Sequence, residues 1–331
     1  MRILLSILSD YLQPNFLLIK ELEGKYDRLI FMTTAVMEEK KKQMLLVQAL
    51  GVEPSRVSCI VVVEDNYDYI IGRLKEQKFK DQDEFILNIT GGTKLMAIAV
   101  YEFFKTMKSK FFYVPIGKNY IVDLKAKTIH NLNYQLKLEE YLLLNSLHCE
   151  CDSSFLFPKE EAYHVFAEMA RNKFEVIDKI KNAQSLPTPE ERRYYSGAWF
   201  EDYVYLRIKD AFGLTDDKIG KSVKIFRDNS QVNDNEIDVA FVKDNMLSII
   251  ECKVSMFGHK TYPKDTVEEY LYKLAAIAKD LGLRVNSYLF TLHIMKKFSE
   301  PVLENIHKRA DILGIKGIID GVELSKDRLI L

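Results

Sequence analysis

The sequence predicts an α/β protein, with two α/β parts joined by a helical stretch. Three observations predict it. The first third alternates short apolar runs with helix-patterned segments, the signature of a parallel, doubly wound sheet. Residues 133–190 lack strand alternation. The last third sets two strand-like runs on either side of a tight turn and then returns to helices. A chain of 331 residues also suits two domains at roughly 150 residues each.

Taken in order, Ile3 to Leu8 is a continuous apolar run holding one serine, as in a strand buried on both faces. Asn15 to Leu22 is helical in pattern, Arg28 to Thr33 a second strand, and Glu38 to Leu50 a charged amphipathic helix. Cys59 to Val63 is a third strand, Tyr67 to Lys78 a helix, and Glu84 to Asn88 a fourth strand. Lys94 to Met107 is a strongly apolar helix. Phe111 to Val114 and Asn119 to Asp123 close the segment as a hairpin. Leu136 to Leu147 and Lys159 to Ala183 read as helical, and Pro187-Thr188-Pro189 marks a boundary. Then come a helix over Arg192 to Phe212 and strands over Glu236 to Val242 and Met246 to Val254, turned by Lys243-Asp244-Asn245. A helix over Thr266 to Leu281, a strand over Ser287 to Leu292 and a helix over Glu300 to Leu313 follow. The expected segments are 1–132, 133–190 and 191–331.

Composition narrows the function. Hydrophobic content of 47% excludes disorder for the bulk of the chain. No apolar run nears the roughly 18 residues of a membrane span. Met-Arg-Ile-Leu-Leu-Ser leads directly into a strand, with no secretory signal pattern. Cys59, Cys149, Cys151 and Cys252 are too few and too scattered for a disulfide scaffold, so a reducing, cytoplasmic setting is expected. Basic and acidic residues number 47 and 48, so any nucleic-acid binding must sit in local patches.

The richest segment is Asn235-Glu236-Ile237-Asp238, a hairpin, then Ile249-Ile250-Glu251-Cys252-Lys253. Side chains two apart on a strand share a face, so Glu251 and Lys253 point one way and Cys252 the other. Asp238 comes within reach of Glu251 if the strands pair. Two carboxylates suit a hard divalent cation, and a lysine beside them can orient water or stabilise phosphoryl charge. Glu201 on the preceding helix offers a third carboxylate. A solvated cross-strand ion pair is the plainer alternative for Glu251 and Lys253. Against it stand the apolar neighbours of the strand and the cost of burying Asp238 alone among Ile237, Val239 and Ala240.

The segment over residues 190 to 300 resembles the PD-(D/E)xK nuclease superfamily, a restriction-endonuclease-like fold. That resemblance implies metal binding by Asp238 and Glu251, with help from the backbone carbonyl of Cys252. It implies that Lys253 acts in water activation and that Glu201 fills the upstream-helix acidic position. Ile237 stands where the family often has proline. Glu269, Tyr270 and Lys273 lie on the following helix, where relatives contact the substrate backbone; an exposed helix face accounts for them equally well.

Asn88-Ile89-Thr90-Gly91-Gly92-Thr93-Lys94 joins a strand to a helix. Glycines admit a ligand close to the backbone, and a helix N-terminus offers free N–H donors to phosphate. The spacing is neither GxxxxGK[ST] nor GxGxxG, so no nucleoside-triphosphate or dinucleotide motif is present. A steric Gly-Gly turn with Thr93 as helix cap is the alternative. Ser9 and Asp10 follow the first strand and Thr33 ends the second, all at strand carboxyl ends, where open α/β sheets bind ligands. Ser9-Asp10 also reads as a helix cap.

These two segments, Ser9-Asp10…Pro14-Asn15 and Asn88 to Lys94, resemble the Rossmann-like CARF domain of type III CRISPR effectors over residues 1 to about 130. Tyr11 stands where the family pattern has glutamine. The order CARF, helical linker, PD-(D/E)xK domain resembles the single-CARF nucleases. The resemblance implies a homodimer that binds a cyclic oligoadenylate across its two-fold axis, with cyclic tetra-adenylate the expected ring. It implies contacts from Ser9, Asp10, Thr33, Thr90, Gly91, Gly92, Thr93 and Lys94. It further implies Mn²⁺ or Mg²⁺ at the nuclease site, and DNA, RNA or both as substrate in antiviral defence. The alternatives are an oligoadenylate-sensing module with an inactive nuclease fold and a ligand-sensing transcription regulator. The second lacks a basic recognition helix. His148, Cys149 and Cys151 lack a second ligand pair at zinc spacing.

Overall fold

The computed structural model describes residues 1–152, 154–175, 177–227, 235–254 and 263–331. Residue 176, inside the helical reading of Lys159 to Ala183, lies outside them. The chain forms two compact units, Met1–Leu136 with Glu140–Ser146, and Lys137–Glu139 with Leu147–Leu331.

In the first unit the elements run β1 (Arg2–Ile7), α1 (Gln13–Glu21), β2 (Arg28–Thr34), α2 (Ala35–Glu39), α3 (Lys42–Leu50), β3 (Val57–Val62), α4 (Tyr67–Lys75), β4 (Glu84–Asn88), α5 (Lys94–Phe104), β5 (Ser109–Tyr113), β6 (Tyr120–Asp123) and β7 (Thr128–Asn131). The sheet order is β3-β2-β1-β4-β5-β6-β7. The first five strands are parallel, as the alternation predicts, and β6 and β7 add antiparallel strands. The order reverses between β1 and β4, which makes the loops after these two strands the switch point of the sheet. Ile3, Leu5, Ile30, Ile60, Leu87, Met96 and Phe104 fill the core between strands and helices. The helix expected over Glu38 to Leu50 is two helices, because Lys41 adopts a left-handed φ of 53° between them. The β7 strand was not expected: all four of its residues are exposed, so it carries no alternation of buried and exposed positions.

Next come α6 (Leu138–Leu144), β8 (Leu147–Asp152), α7 (Lys159–Arg171), α8 (Asp178–Lys181), α9 (Pro189–Arg193) and, after a π-helical turn over Tyr194–Ala198, α10 (Trp199–Phe212). The chain continues with β9 (Ile219–Arg227), β10 (Asn235–Lys243), β11 (Met246–Lys253), α11 (Pro263–Asp280), β12 (Val285–Thr291), α12 (Glu300–Ile312), β13 (Gly317–Ile319) and α13 (Gly321–Leu324). The second sheet has the order β13-β12-β11-β10-β9-β8, antiparallel from β8 to β11 and parallel beyond. The stretch 133–190 is therefore not all helical, because Leu147–Asp152 pairs with β9 as an edge strand. The β9 strand was missed because Lys221 takes an inward position between Ile219 and Val223 and breaks the apolar alternation. One core joins Met169, Trp199, Phe200, Tyr203, Val239, Ile250 and Phe290, with Phe166 stacked on Tyr203 at 3.9 Å between ring centroids. Among the described residues no helix is long and apolar enough to cross a membrane.

Candidate active site and ligand loop

In the second unit the β10–β11 hairpin pairs Val239 with Ile250 and Lys243 with Met246. That register carries Asp238 to the level of Glu251. Glu251 is only 2% exposed, and the Lys253 Nζ lies 2.7 Å from its Oε1. The same ammonium donates to the Cys252 carbonyl at 3.1 Å and stands 3.8 Å from Asp238 Oδ2. Asp238 Oδ2 also accepts the Cys252 backbone N–H at 2.6 Å. Three oxygens of different residues thus converge on one ammonium. From α11 the Lys273 Nζ reaches Glu251 Oε1 at 3.1 Å, and the Tyr270 ring lies 5.2 Å from the Lys253 Nζ.

The electrostatics follow from burial. Burial, then the charge of Glu251, pushes the Asp238 carboxyl up, against the pull of Lys253 and of its own hydrogen bond. Burial pushes Glu201 on α10 up to about 7, with Asp238 the next cause and Lys253 opposing, which puts Glu201 within the field of the cluster. Burial disfavours the Lys253 ammonium, but Asp238 and Glu251 outweigh it and hold its pKa above the ordinary value. Burial pushes up the Cys252 thiol, whose side chain belongs to the apolar core. The carbonyl of Cys252, not its sulfur, is what it offers the cluster.

Among the described residues no group of three or more His, Cys, Asp or Glu side chains gathers as a metal would require. The donors that do meet are two carboxylates and one carbonyl, already gathered around a cation. All are hard oxygens, so their chemistry fits Mg²⁺ or Mn²⁺. Sequence reasoning named four of the five charged groups here and treated the fifth, Lys273, as part of a helix surface. Only the fold could reveal its contact with Glu251, because it spans two elements.

In the first unit the loop after β4 lies against the end of β1. A Cβ on Gly91 would stand 2.2 Å from the Ile7 carbonyl oxygen, and Gly92 has a φ of +72°. Both positions therefore require glycine. Thr93 caps α5 by accepting the Met96 N–H at 3.2 Å, and its hydroxyl donates to the Glu64 carbonyl. Gly92, Thr93 and Lys94 are exposed at the helix N-terminus. A buried amide pair underlies the loop: the Asn15 and Asn88 side chains both donate to Ser6 Oγ, at 2.8 and 3.1 Å. Sequence reasoning did not single out this pair for that task; two asparagines in apolar surroundings were the available signal.

The remaining expected ligand contacts divide. The Ser9 hydroxyl is half-buried beside Gly91 and donates to the Tyr11 carbonyl at 3.2 Å. Asp10 is exposed and ion-paired with Lys40 at 2.7 Å. Thr90 is committed within the fold, donating to Asn88 Oδ1 and accepting the Val114 N–H. Thr33 is 0% exposed within the central sheet, and among the described residues its hydroxyl has no hydrogen-bond partner.

A doubly wound sheet with a glycine loop at its switch point, followed by a mixed sheet holding a carboxylate–lysine cluster, defines a sensor-type α/β domain joined to a nuclease-type domain. Family models agree: residues 3–141 match the Card1 CARF domain and residues 188–325 the Card1-like endonuclease domain. The chain is a CARF-domain endonuclease, and its two domains belong to those Card1 families. The fold is shared with protein VC1899 from Vibrio cholerae at 18% identity and a TM-score of 0.78, over 98% of this chain and 95% of that one. It is shared with Can2 from Sulfobacillus thermosulfidooxidans, solved in complex with cyclic tetra-adenylate, at 22% identity and a TM-score of 0.75, over 98% and 97%. A type III CRISPR defence DNA nuclease activated by cyclic oligoadenylate aligns at 15% identity and a TM-score of 0.58, over 88% of this chain and 45% of that one. No curated protein matches the chain in sequence.

Proposed function

We propose that the protein is a metal-dependent endonuclease of the PD-(D/E)xK type, switched on by a cyclic oligoadenylate in type III CRISPR defence. The observation that carries the catalytic half is the convergence of Asp238, Glu251 and the Cys252 carbonyl on Lys253 in one secluded cluster. In this reading Asp238, Glu251 and the Cys252 carbonyl hold Mg²⁺ or Mn²⁺. The bound ion supplies Lewis acidity toward a phosphodiester oxygen and makes water more acidic. Lys253 then turns its ammonium to the phosphoryl charge or to the attacking water. Glu201, titrating at about 7, can hold or release a proton near neutral pH. The substrate is DNA, RNA or both.

The sensing half rests on the Gly91–Gly92 turn and the α5 N-terminus. Free N–H donors, the Ser9 and Thr93 hydroxyls and the exposed Lys94 suit a ligand rich in phosphodiesters and lacking a pyrophosphate. Can2, which shares the fold, was solved with cyclic tetra-adenylate. A ligand with internal two-fold symmetry calls for a homodimer that presents this half-site twice. The nuclease part of the proposal is residues 191–331, in line with the endonuclease-family match over 188–325, and β8 adds an edge strand to its sheet.

The test is cleavage of supercoiled plasmid, single-stranded DNA and RNA with Mn²⁺ or Mg²⁺, with and without cyclic tetra- and hexa-adenylate. The expected result is cleavage that needs both ion and ring. Equal cleavage without the ring overturns the switch; no cleavage of any substrate overturns the nuclease.

A further inference from the structure

The helix that delivers Glu201 does not inherit its orientation from the chain before it. α9 ends at Arg193, a π-helical turn covers Tyr194–Ala198, and Gly197 leaves helical geometry altogether. Residue phase is lost across such a turn. Rotation of α10 about its axis must therefore be set by what the helix touches. Most of its contacts are apolar: Trp199, Phe200, Tyr203 and Val204 pack into the core over Val239 and Ile250. Apolar packing is tolerant of small rotations, because it has no directional partner.

Several contacts are directional: Tyr203 and Arg207 donate to carbonyls of Leu324, Lys326 and Asp327, Asp210 accepts from Tyr163, and Tyr205 and Lys209 meet Asp216. The one that ties the helix to a strand beside Asp238 is a buried ion pair. Asp202 is 3% exposed and Lys221 on β9 is 7% exposed, and the Lys221 Nζ donates to Asp202 Oδ1 at 2.5 Å. The ammonium also lies 4.2 Å from the Phe155 ring centroid, which closes it off on another side. Lys221 is in turn fixed in the sheet, paired in register with Val239, the residue after Asp238. Asp202 is the immediate neighbour of Glu201, about 100° around the helix. Pinning Asp202 to β9 therefore fixes the direction of Glu201 relative to the strand that carries Asp238.

We propose that the buried Lys221–Asp202 pair is a positioning device, which holds α10 in the one rotation that turns Glu201 toward the Asp238–Glu251–Lys253 cluster. This inference rests on the nuclease reading above. An apolar pair of similar volume often supports a fold as well as a buried ion pair does, so stability alone gives little reason for charge at these positions. Geometry gives one: an ion pair with a hydrogen bond has a single preferred direction.

The test separates positioning from folding. The double variant Asp202→Leu with Lys221→Met removes both charges together and leaves neither unpaired. It is expected to fold, with cooperative melting. Its kcat falls at least tenfold while KM stays within about twofold, because substrate contacts are untouched and the reacting groups are misaligned. Asp202→Glu with Lys221→Arg, which keeps a directional pair, restores at least part of kcat. Trp199, the one tryptophan, lies on α10 three residues before Asp202 and is fully buried, so its emission reports the helix independently of activity. A shifted or broadened emission in the apolar double variant supports the proposal. Wild-type kcat together with wild-type emission in that variant overturns it. If the wild-type enzyme cleaves nothing, the nuclease reading fails on its own, and unchanged Trp199 emission in the double variant still overturns the positioning claim.

Discussion

The two sites of the molecule handle charge in opposite ways. Around Gly91 the first unit presents backbone donors, hydroxyls and one exposed ammonium, Lys94, at a helix end. Around Glu251 the second unit buries two carboxylates and answers them with Lys253 and, from α11, Lys273. In the proposed reading the first site takes an anion without giving anything up. The second already satisfies itself, and in the proposed reading a divalent cation would displace an ammonium to enter. The difference teaches where control is most economically placed. A loop built from one strand–helix turn keeps its geometry within a few residues, whereas a cluster drawn from β10, β11, α10 and α11 depends on the relative placement of four elements. Small motions of those elements change the second site far more than the first.

The largest test of this contrast removes the second site and spares the first. Glu251→Ala or Lys253→Ala should lower the cleavage rate by about 10²–10³-fold or more, as loss of a preorganised charge does. Ring binding, measured by titration calorimetry, should stay within twofold of wild type. A matching loss of ring affinity would break the separation of roles. Next in size is Gly91→Ala. Its Cβ would meet the Ile7 carbonyl oxygen at 2.2 Å, backbone against backbone, so the loop must move. Ring affinity should fall at least tenfold, on the scale of about 1.4 kcal/mol, while Mn²⁺ binding to the second unit is unchanged. Lys94→Gln should be milder. It removes one exposed charge-assisted contact and leaves the N–H donors, so affinity should fall about threefold to tenfold at low salt and less at high salt.

How much of each site was legible in the sequence follows the same division. The glycine loop was readable because all its parts lie within seven residues and their spacing fixes their geometry. The burial of Thr33 was not readable, because it comes from the place of β2 between β1 and β3, which the local sequence does not carry. The Asp238–Glu251–Lys253 cluster was readable because a hairpin has a two-residue period and a short turn. Lys273 and Lys221 were not, since their partners lie 22 and 19 residues away on other elements. The parallel strands were readable from their apolar runs. The edge strands β7 and β8 were not, because an edge with exposed side chains has no burial pattern to print on its sequence.

The smallest expected effect concerns acid. In the first unit Glu21 is partly buried, which alone would raise its pKa. The backbone N–H groups of Tyr134 and Asn133 and the Asn133 side chain donate to it and hold it below the ordinary carboxylate value. A lowered carboxylate contributes stability that is present above its unfolded pKa, about 4.5, and is lost as pH falls further. In the second unit burial, then the nearby Lys297, lowers the pKa of His293, with Asp320 pulling the other way. The unfolded imidazole therefore takes up its proton first. The contribution of His293 is present above about 6.5 and declines as pH falls below it. Between pH 6.5 and 5 the raised carboxyls of Glu201 and Asp238 take up protons in the folded second unit before the unfolded chain does, which strengthens that unit against the opposing loss from His293, while Glu21 still holds the first. The melting temperature read through Trp199, which reports the second unit alone, should rise by about 2–4 °C over that range; Glu201→Gln should reduce the rise and His293→Phe should enlarge it. An equal acid response in the first unit over the same range would show that the two units melt together rather than each by its own titrating groups.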